Sequence, residues 1–201
     1  MMSLDLADLP NRLVAFFRRN INLLSQPGMN AYFLSQLFRP MALVNQVDAQ
    51  PQFLQTLQQF CEDSIEHFIQ KSDYPAAVNC MLLSHRIESF FKKANIETHF
   101  PDLRTILFDK LIPNACSTTS PQTLASIQAL YLKEMASKNS PHYFLDLCTY
   151  LLNAKSSGFS CDPDLEREYY REEVHSLDNR NYDELEKHIL SSLGLQADQY
   201  R

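Results

Sequence analysis

Glycine is nearly absent from this chain: three in 201 residues, where ordinary usage of roughly 7% would supply about fourteen. Gly28, Gly158 and Gly194 each stand alone. Phosphate-cradling loops and Rossmann turns need clustered glycine, because the backbone there approaches a ligand or takes positive φ; both are excluded. Tryptophan is missing altogether. No stretch approaches eighteen uninterrupted apolar residues, so no membrane-spanning helix is expected. Cys61, Cys80, Cys116, Cys148 and Cys161 form no CxxC pair, which removes zinc ribbons and thioredoxin motifs. An odd, irregular set of thiols suits a reducing compartment better than a disulfide framework. None of the six histidines sits in HExxH, so no metal site and no cofactor are expected. Met1-Met2-Ser3-Leu4-Asp5 lacks a basic segment followed by an apolar run, so no secretory signal peptide is expected.

Positive charge is also short. The net charge is -6, which argues against a general affinity for nucleic acid. The deficit is local: residues 1–161 carry 13 acidic and 13 basic side chains, whereas 162–187 carry 10 acidic against 4 basic. That stretch is either a solvated face or a surface for a basic partner protein, whose attraction would be salt-sensitive.

What the chain does have is punctuation by proline, ten of them, spaced at helical lengths. Ser120-Pro121, Ser140-Pro141 and Asp162-Pro163 join a capping side chain to a residue favoured at the first helical position, where the missing N–H costs nothing. Asp8-Leu9-Pro10 and Asp73-Tyr74-Pro75 are looser versions. Between these starts the apolar spacing is 3 and 4. Leu9, Leu13, Phe16 and Leu24 share one side of the first segment. Leu57, Phe60, Cys61, Ile65, Phe68 and Ile69 line 52–71; Leu103, Ile106, Leu107 and Leu111 line the block after Pro101. Leu124, Ile127, Tyr131 and Met135 follow Ser120, and Phe144, Leu147, Cys148, Leu151 and Leu152 follow Ser140. Tyr182, Leu185, Ile189 and Leu193 close the chain, with Gly194 as a cap. No alternating β-branched run and no hairpin signal appears.

The expected fold is all-α: one irregular bundle of about eight to ten helices. Residues 76–94 are apolar on two sides, with Val78, Met81, Leu82 and His85 on one and Cys80, Leu83, Ile87, Phe90 and Phe91 on the other. Such a helix is usually central. It is expected as the hub, flanked by 52–71 and 102–112. Residues 1–161 are expected to form the bundle and 162–201 an acidic helical pair on or projecting from it. The loops are expected at 113–120 and 153–161.

Candidate chemistry is sparse. His85 and Glu88 can meet across one helical turn. Cys116, in a polar loop, is the thiol best placed for reactivity, with His142 as a conceivable base. The carboxylates at Asp162, Asp164 and Glu166 lack the glycine and terminal glutamate of a calcium loop and read as helix caps. Arg18-Arg19, bracketed by Phe16, Phe17 and Ile21, offers either a projecting solvent face or a membrane-surface face. The least regular amphipath is 165–174. Tyr169 and Tyr170 cannot both face one narrow stripe, so at least one is expected to be exposed. Exposed tyrosine with arginine is typical of binding surfaces, and the candidate partner-binding residues are Glu166, Tyr169, Tyr170, Arg171, Glu173 and Val174.

Three segments resemble the catalytic domain of Ras-type guanine-nucleotide exchange factors. Pro51, Phe53, Leu54, Leu57 and Phe60 with Ser64 resemble the helix that begins that family's core. Pro141-His142-Tyr143-Phe144-Leu145-Asp146-Leu147 resembles its proline-led apolar segment. Asp162-Pro163-Asp164-Leu165, Tyr169 and Asp183-Glu184-Leu185 resemble its closing helices. The family's Asn-Phe-Asn signature falls at Asn95-Ile96-Glu97, where only the first asparagine is kept. The resemblance implies an all-helical regulator that speeds nucleotide release from a small GTPase. Separately, Asp183, Glu184 and Glu186 followed by Leu190, Leu193 and Leu195 resemble the translocation signals of some bacterial type IV secretion effectors. That implies action on a host protein after translocation into a host cytoplasm; otherwise the chain is expected to be cytoplasmic. The leading expectation is a non-enzymatic helical module that binds another protein. The alternative is a small-GTPase regulator.

Overall fold

The computed structural model describes residues 9–43 and 51–177, with side chains at 9–39 and 51–171. Every regular element among the described residues is helical. The chain divides into two compact units, Met1–Ala115 and Cys116–Arg201. The division falls inside the expected 113–120 loop.

The first unit contains α1 (Leu9–Arg19), a 3₁₀ turn (Ile21–Ser25), α2 (Met29–Leu43), α3 (Pro51–Gln70) and α4 (Tyr74–Lys93). Then α5 (Leu103–Thr105), a π-helical stretch (Ile106–Leu111) and α6 (Ile112–Ala115) run on without a break. Its centre is α4. Asp73 caps the helix, accepting from the Ala76 N–H at 3.2 Å. Val78 and Met81 on one side, and Cys80, Leu83, Ile87 and Phe91 on the other, are all buried. Two apolar faces require two sets of neighbours, and α4 has them in α3 on one hand and α2 with the 3₁₀ turn on the other. The second flank is therefore residues 21–43, where 102–112 was expected. The 103–115 segment is tied on by a hydrogen bond from the Tyr74 hydroxyl to the Asn114 carbonyl, 2.9 Å, and by the Lys110–Glu66 ion pair, 3.0 Å.

With glycine scarce, other residues close the helices. Ser72 (φ 58°) and Asn95 (φ 57°) take the left-handed conformation after α3 and α4. The N–H of the following residue reaches back in each case, Asp73 to the Phe68 carbonyl at 2.9 Å and Ile96 to the Phe91 carbonyl at 3.0 Å. This is the Schellman closure, for which glycine is preferred but not required.

In α1 the expected stripe is turned the wrong way. Pro10, Val14 and Phe17 are buried, whereas Leu9 and Phe16 are exposed. Phe17 decides the roll. Its ring meets Phe33 edge-on at 5.0 Å, and Phe33 stacks on Phe60 at 5.3 Å, so this face anchors α1 in the core.

The second unit contains α7 (Pro121–Leu130), a π-helical turn (Tyr131–Met135), α8 (Tyr143–Ser157) and α9 (Pro163–Leu177). Ser120 caps α7 as expected, accepting from the Thr123 N–H at 3.3 Å. Ser140 does not cap α8. Its hydroxyl accepts from the His142 N–H two residues on, at 3.3 Å, forming a turn that delays the helix until Tyr143. At the other end α8 runs to Ser157, so the expected loop at 153–161 shrinks to a short link opened by Gly158. Tyr182, Leu185, Ile189, Leu193 and Gly194, and the secretion-signal residues Asp183, Glu184, Glu186, Leu190 and Leu195, lie outside the described residues, as does Asp8. Among the described residues no helix is long and apolar enough to cross a membrane.

Candidate functional site

Among the described residues of the second unit, two concavities flank the α8–α9 link. Gly158 sets them up. At φ 76° it is the left-handed C-terminal cap of α8, and the Phe159 N–H closes on the Ala154 carbonyl at 2.9 Å. The chain leaves that turn as Phe159-Ser160-Cys161, which lines both concavities. Asp162 then starts α9. Its carboxylate accepts from the N–H groups of Asp164 (3.0 Å) and Leu165 (3.3 Å), and its own N–H donates to the Tyr150 hydroxyl at 2.9 Å.

The first concavity, about 640 Å³, lies against α7 and its π-helical turn, floored by Ala125, Ala129 and Gly158. Lys133 crosses it to Asp162 at 2.9 Å and to Asp164 at 3.6 Å. The hydrogen bond to Asp162 raises the Lys133 pKa, so the amine stays protonated. Partial burial favours the protonated form of Asp162, but the Lys133 hydrogen bond and the two backbone N–H groups outweigh it and hold the carboxyl low.

The second concavity, a groove of about 480 Å³, runs between α8 and α9. Cys148, Leu151, Leu152 and Phe159 supply its apolar lining, with Lys155 on α8 and Glu166 on α9. Tyr169 and Tyr170 complete it. Tyr169 stacks on Phe144, rings 6.0 Å apart and nearly parallel, and Tyr170 meets Tyr169 edge-on at 5.5 Å. One of the pair thus clamps α9 onto α8 while the other stands 51% exposed. The structure brings Glu166, Tyr169 and Tyr170 together in this groove. Arg171 is exposed and lies 3.7 Å from Glu168. Glu173 and Val174 lie on the α9 backbone, outside the residues with described side chains.

Sequence reading missed the residue that fixes this geometry. Glu168 is 11% exposed, accepts from the Tyr143 hydroxyl at 2.9 Å and pairs with Lys138 at 2.8 Å. Partial burial works against its charge, but Lys138 and Tyr143 together lower its pKa. Among the charges of 165–174 nothing distinguishes Glu168; its partners, Lys138 before α8 and Tyr143 at its start, are thirty and twenty-five residues away. Cys161 was equally unmarked. Burial, then the Glu166 charge, raises its pKa and keeps it a thiol.

Cys116 is exposed, and no hydrogen bond joins it to His142 among the described residues. Glu88 pairs with Lys92 at 2.8 Å. Cys61 and Cys80 are buried between α3 and α4, and burial pushes the Cys80 thiol up to about 12. Among the described residues no group of three or more histidine, cysteine and carboxylate side chains is placed to hold a metal.

Comparison with family models, curated proteins and solved structures finds no match to this chain.

Proposed function

We propose that this chain is a non-enzymatic helical module that binds another protein through the α8–α9 groove. The observation that carries the reading is the pairing of a half-exposed Tyr170 with an apolar groove of about 480 Å³ that Glu166 and Lys155 flank. An aromatic anchor beside an apolar hollow with polar groups at its edge is the usual composition of a protein interface. The occupant is an apolar segment of a partner bearing basic residues, because 162–187 carry 10 acidic against 4 basic residues. Cys161 and Lys133 both sit in their less reactive forms, which fits binding better than chemistry. In the effector reading the partner is a host protein; in the regulator reading it is a small GTPase.

The test compares partner recovery by the full chain and by Tyr170→Ala under increasing salt. A partner lost at least about tenfold with the variant, and weakened by salt, supports the groove. Equal recovery by a variant that melts like wild type removes it. Nucleotide release from a panel of small GTPases separates the two readings: acceleration by wild type and not by Tyr170→Ala identifies a regulator.

A further inference from the structure

The rotation of α1 leaves an unusual strip on the surface. Leu9, Arg12, Phe16 and Arg19 recur at i, i+3, i+7 and i+10, so all four lie along one side of the helix over about 15 Å. Leu9 is 37% exposed and Phe16 48%, and both arginines are exposed. The strip cannot roll inward, because Pro10, Val14 and Phe17 occupy the core side. Tyr32, on the neighbouring α2, is 52% exposed. Three of the four large apolar side chains exposed among the described residues therefore sit on this helix pair, the fourth being Tyr170.

Charge on α1 has one sign. The helix contains three arginines and no carboxylate. Arg18 is paired with Asp63 at 3.0 Å, off the strip. Arg12 and Arg19 have no carboxylate partner among the described residues, and the Arg19 guanidinium donates only to the Ala15 carbonyl, at 3.2 Å.

We propose that this face of α1 is a peripheral docking surface for anionic lipid. Guanidinium groups match headgroup phosphates, with Phe16 between the two arginines and Leu9 one turn before Arg12 to enter the acyl boundary. The strip is the convex side of a single helix. A bilayer receives a convex apolar ridge without offering a shaped pocket, whereas a folded partner must supply a cavity for Phe16. The negative excess of the chain lies in 162–187, so an anionic surface repels that stretch and attracts this strip. Two apolar side chains and two exposed arginines give reversible, salt-sensitive attachment, far short of an anchor.

The experiment is flotation of the full chain with vesicles of phosphatidylcholine alone or with about 30% phosphatidylserine. Wild type should float with the anionic vesicles only and be released as salt rises from about 0.1 M to about 0.5 M. Arg12→Gln combined with Arg19→Gln should lose at least about tenfold in bound fraction, and Phe16→Ser severalfold. All three positions are exposed, so the variants should melt like wild type. Tyr170→Ala should float normally, which keeps this proposal separate from the groove. Equal binding to neutral vesicles, no binding to either, or variants that float like wild type would each overturn it. If instead polyglutamate, not vesicles, retains wild type and releases the arginine variant, the surface belongs to an acidic protein.

Discussion

In the first unit Phe17, Phe33 and Phe60 form a chain of ring contacts, and the buried phenylalanines among the described residues, Phe17, Phe33, Phe60, Phe68 and Phe91, all belong to it. In the second unit α9 buries Leu165 and stacks Tyr169 on Phe144, and polar links supply much of the rest: Tyr143 and Lys138 to Glu168, Tyr150 to the Asp162 N–H, Lys133 to Asp162. The contrast separates two ways of fixing a helix. Apolar packing depends on volume and hardly on pH. Polar links depend on each partner being present and charged. The groove lies where the second kind operates, so its shape is set by a few replaceable groups.

The largest test of that contrast is Leu83→Ala in the middle of α4. It should cost about 2–5 kcal/mol, the range for a buried leucine, measured by denaturant unfolding at neutral pH. A loss under about half a kilocalorie would mean α4 is not the centre of its unit.

Glu168→Gln should cost less, about 1–3 kcal/mol, because it removes a charge-assisted link and leaves one of Lys138 and Tyr143 facing an amide NH2 instead of an acceptor. Its pH dependence sharpens the comparison. Glu168 and Asp162 both have folded pKa values below their unfolded ones. The stability they add is fully present above the usual carboxyl range near pH 4 and is lost as pH falls through the depressed folded values. The second unit should therefore weaken first on acidification, and the gap between wild type and Glu168→Gln should close there. Leu83→Ala should keep its deficit at both pH values.

Gly158→Ala should cost about 1–2 kcal/mol. The space is open, with no atom within 4 Å of the added carbon, so only the φ of 76° is strained. If the link from Gly158 to Asp162 positions the groove, the same change should weaken partner binding beyond its effect on stability. Smallest of all, Tyr170→Ala should change stability by less than about 0.5 kcal/mol, since an exposed ring adds little to folding. Its effect belongs to binding.

The periodicities of α3 and of 103–111 were legible in full, every residue expected inside being buried: Leu57, Phe60, Cys61, Ile65, Phe68, Ile69, then Leu103, Ile106, Leu107 and Leu111. Long segments with a sustained stripe have only one way to bury it. In α1 the stripe Leu9-Leu13-Phe16 was expected inside, and the structure buries Pro10-Val14-Phe17, about a hundred degrees round the helix. Only the presence of Phe33 and Phe60 decided between them. The tyrosine pair was legible as a conflict, since adjacent rings cannot share a face; which ring is outward was not. Glu168 was illegible, because its meaning lies in Lys138 and Tyr143.

Sequence alone determined that this chain is helical, where most helices start, and that α4 is apolar on two sides. Those properties follow from local rules: proline geometry, capping and a period near 3.6. Tertiary structure decided the division at Ala115, the roll of α1, the pairing of α4 with α2 and the joining of Glu166, Tyr169 and Tyr170 with the 159–161 link in one groove. Each depends on which distant side chain fills a space or accepts a proton, and that is a property of contacts made only after the chain has folded.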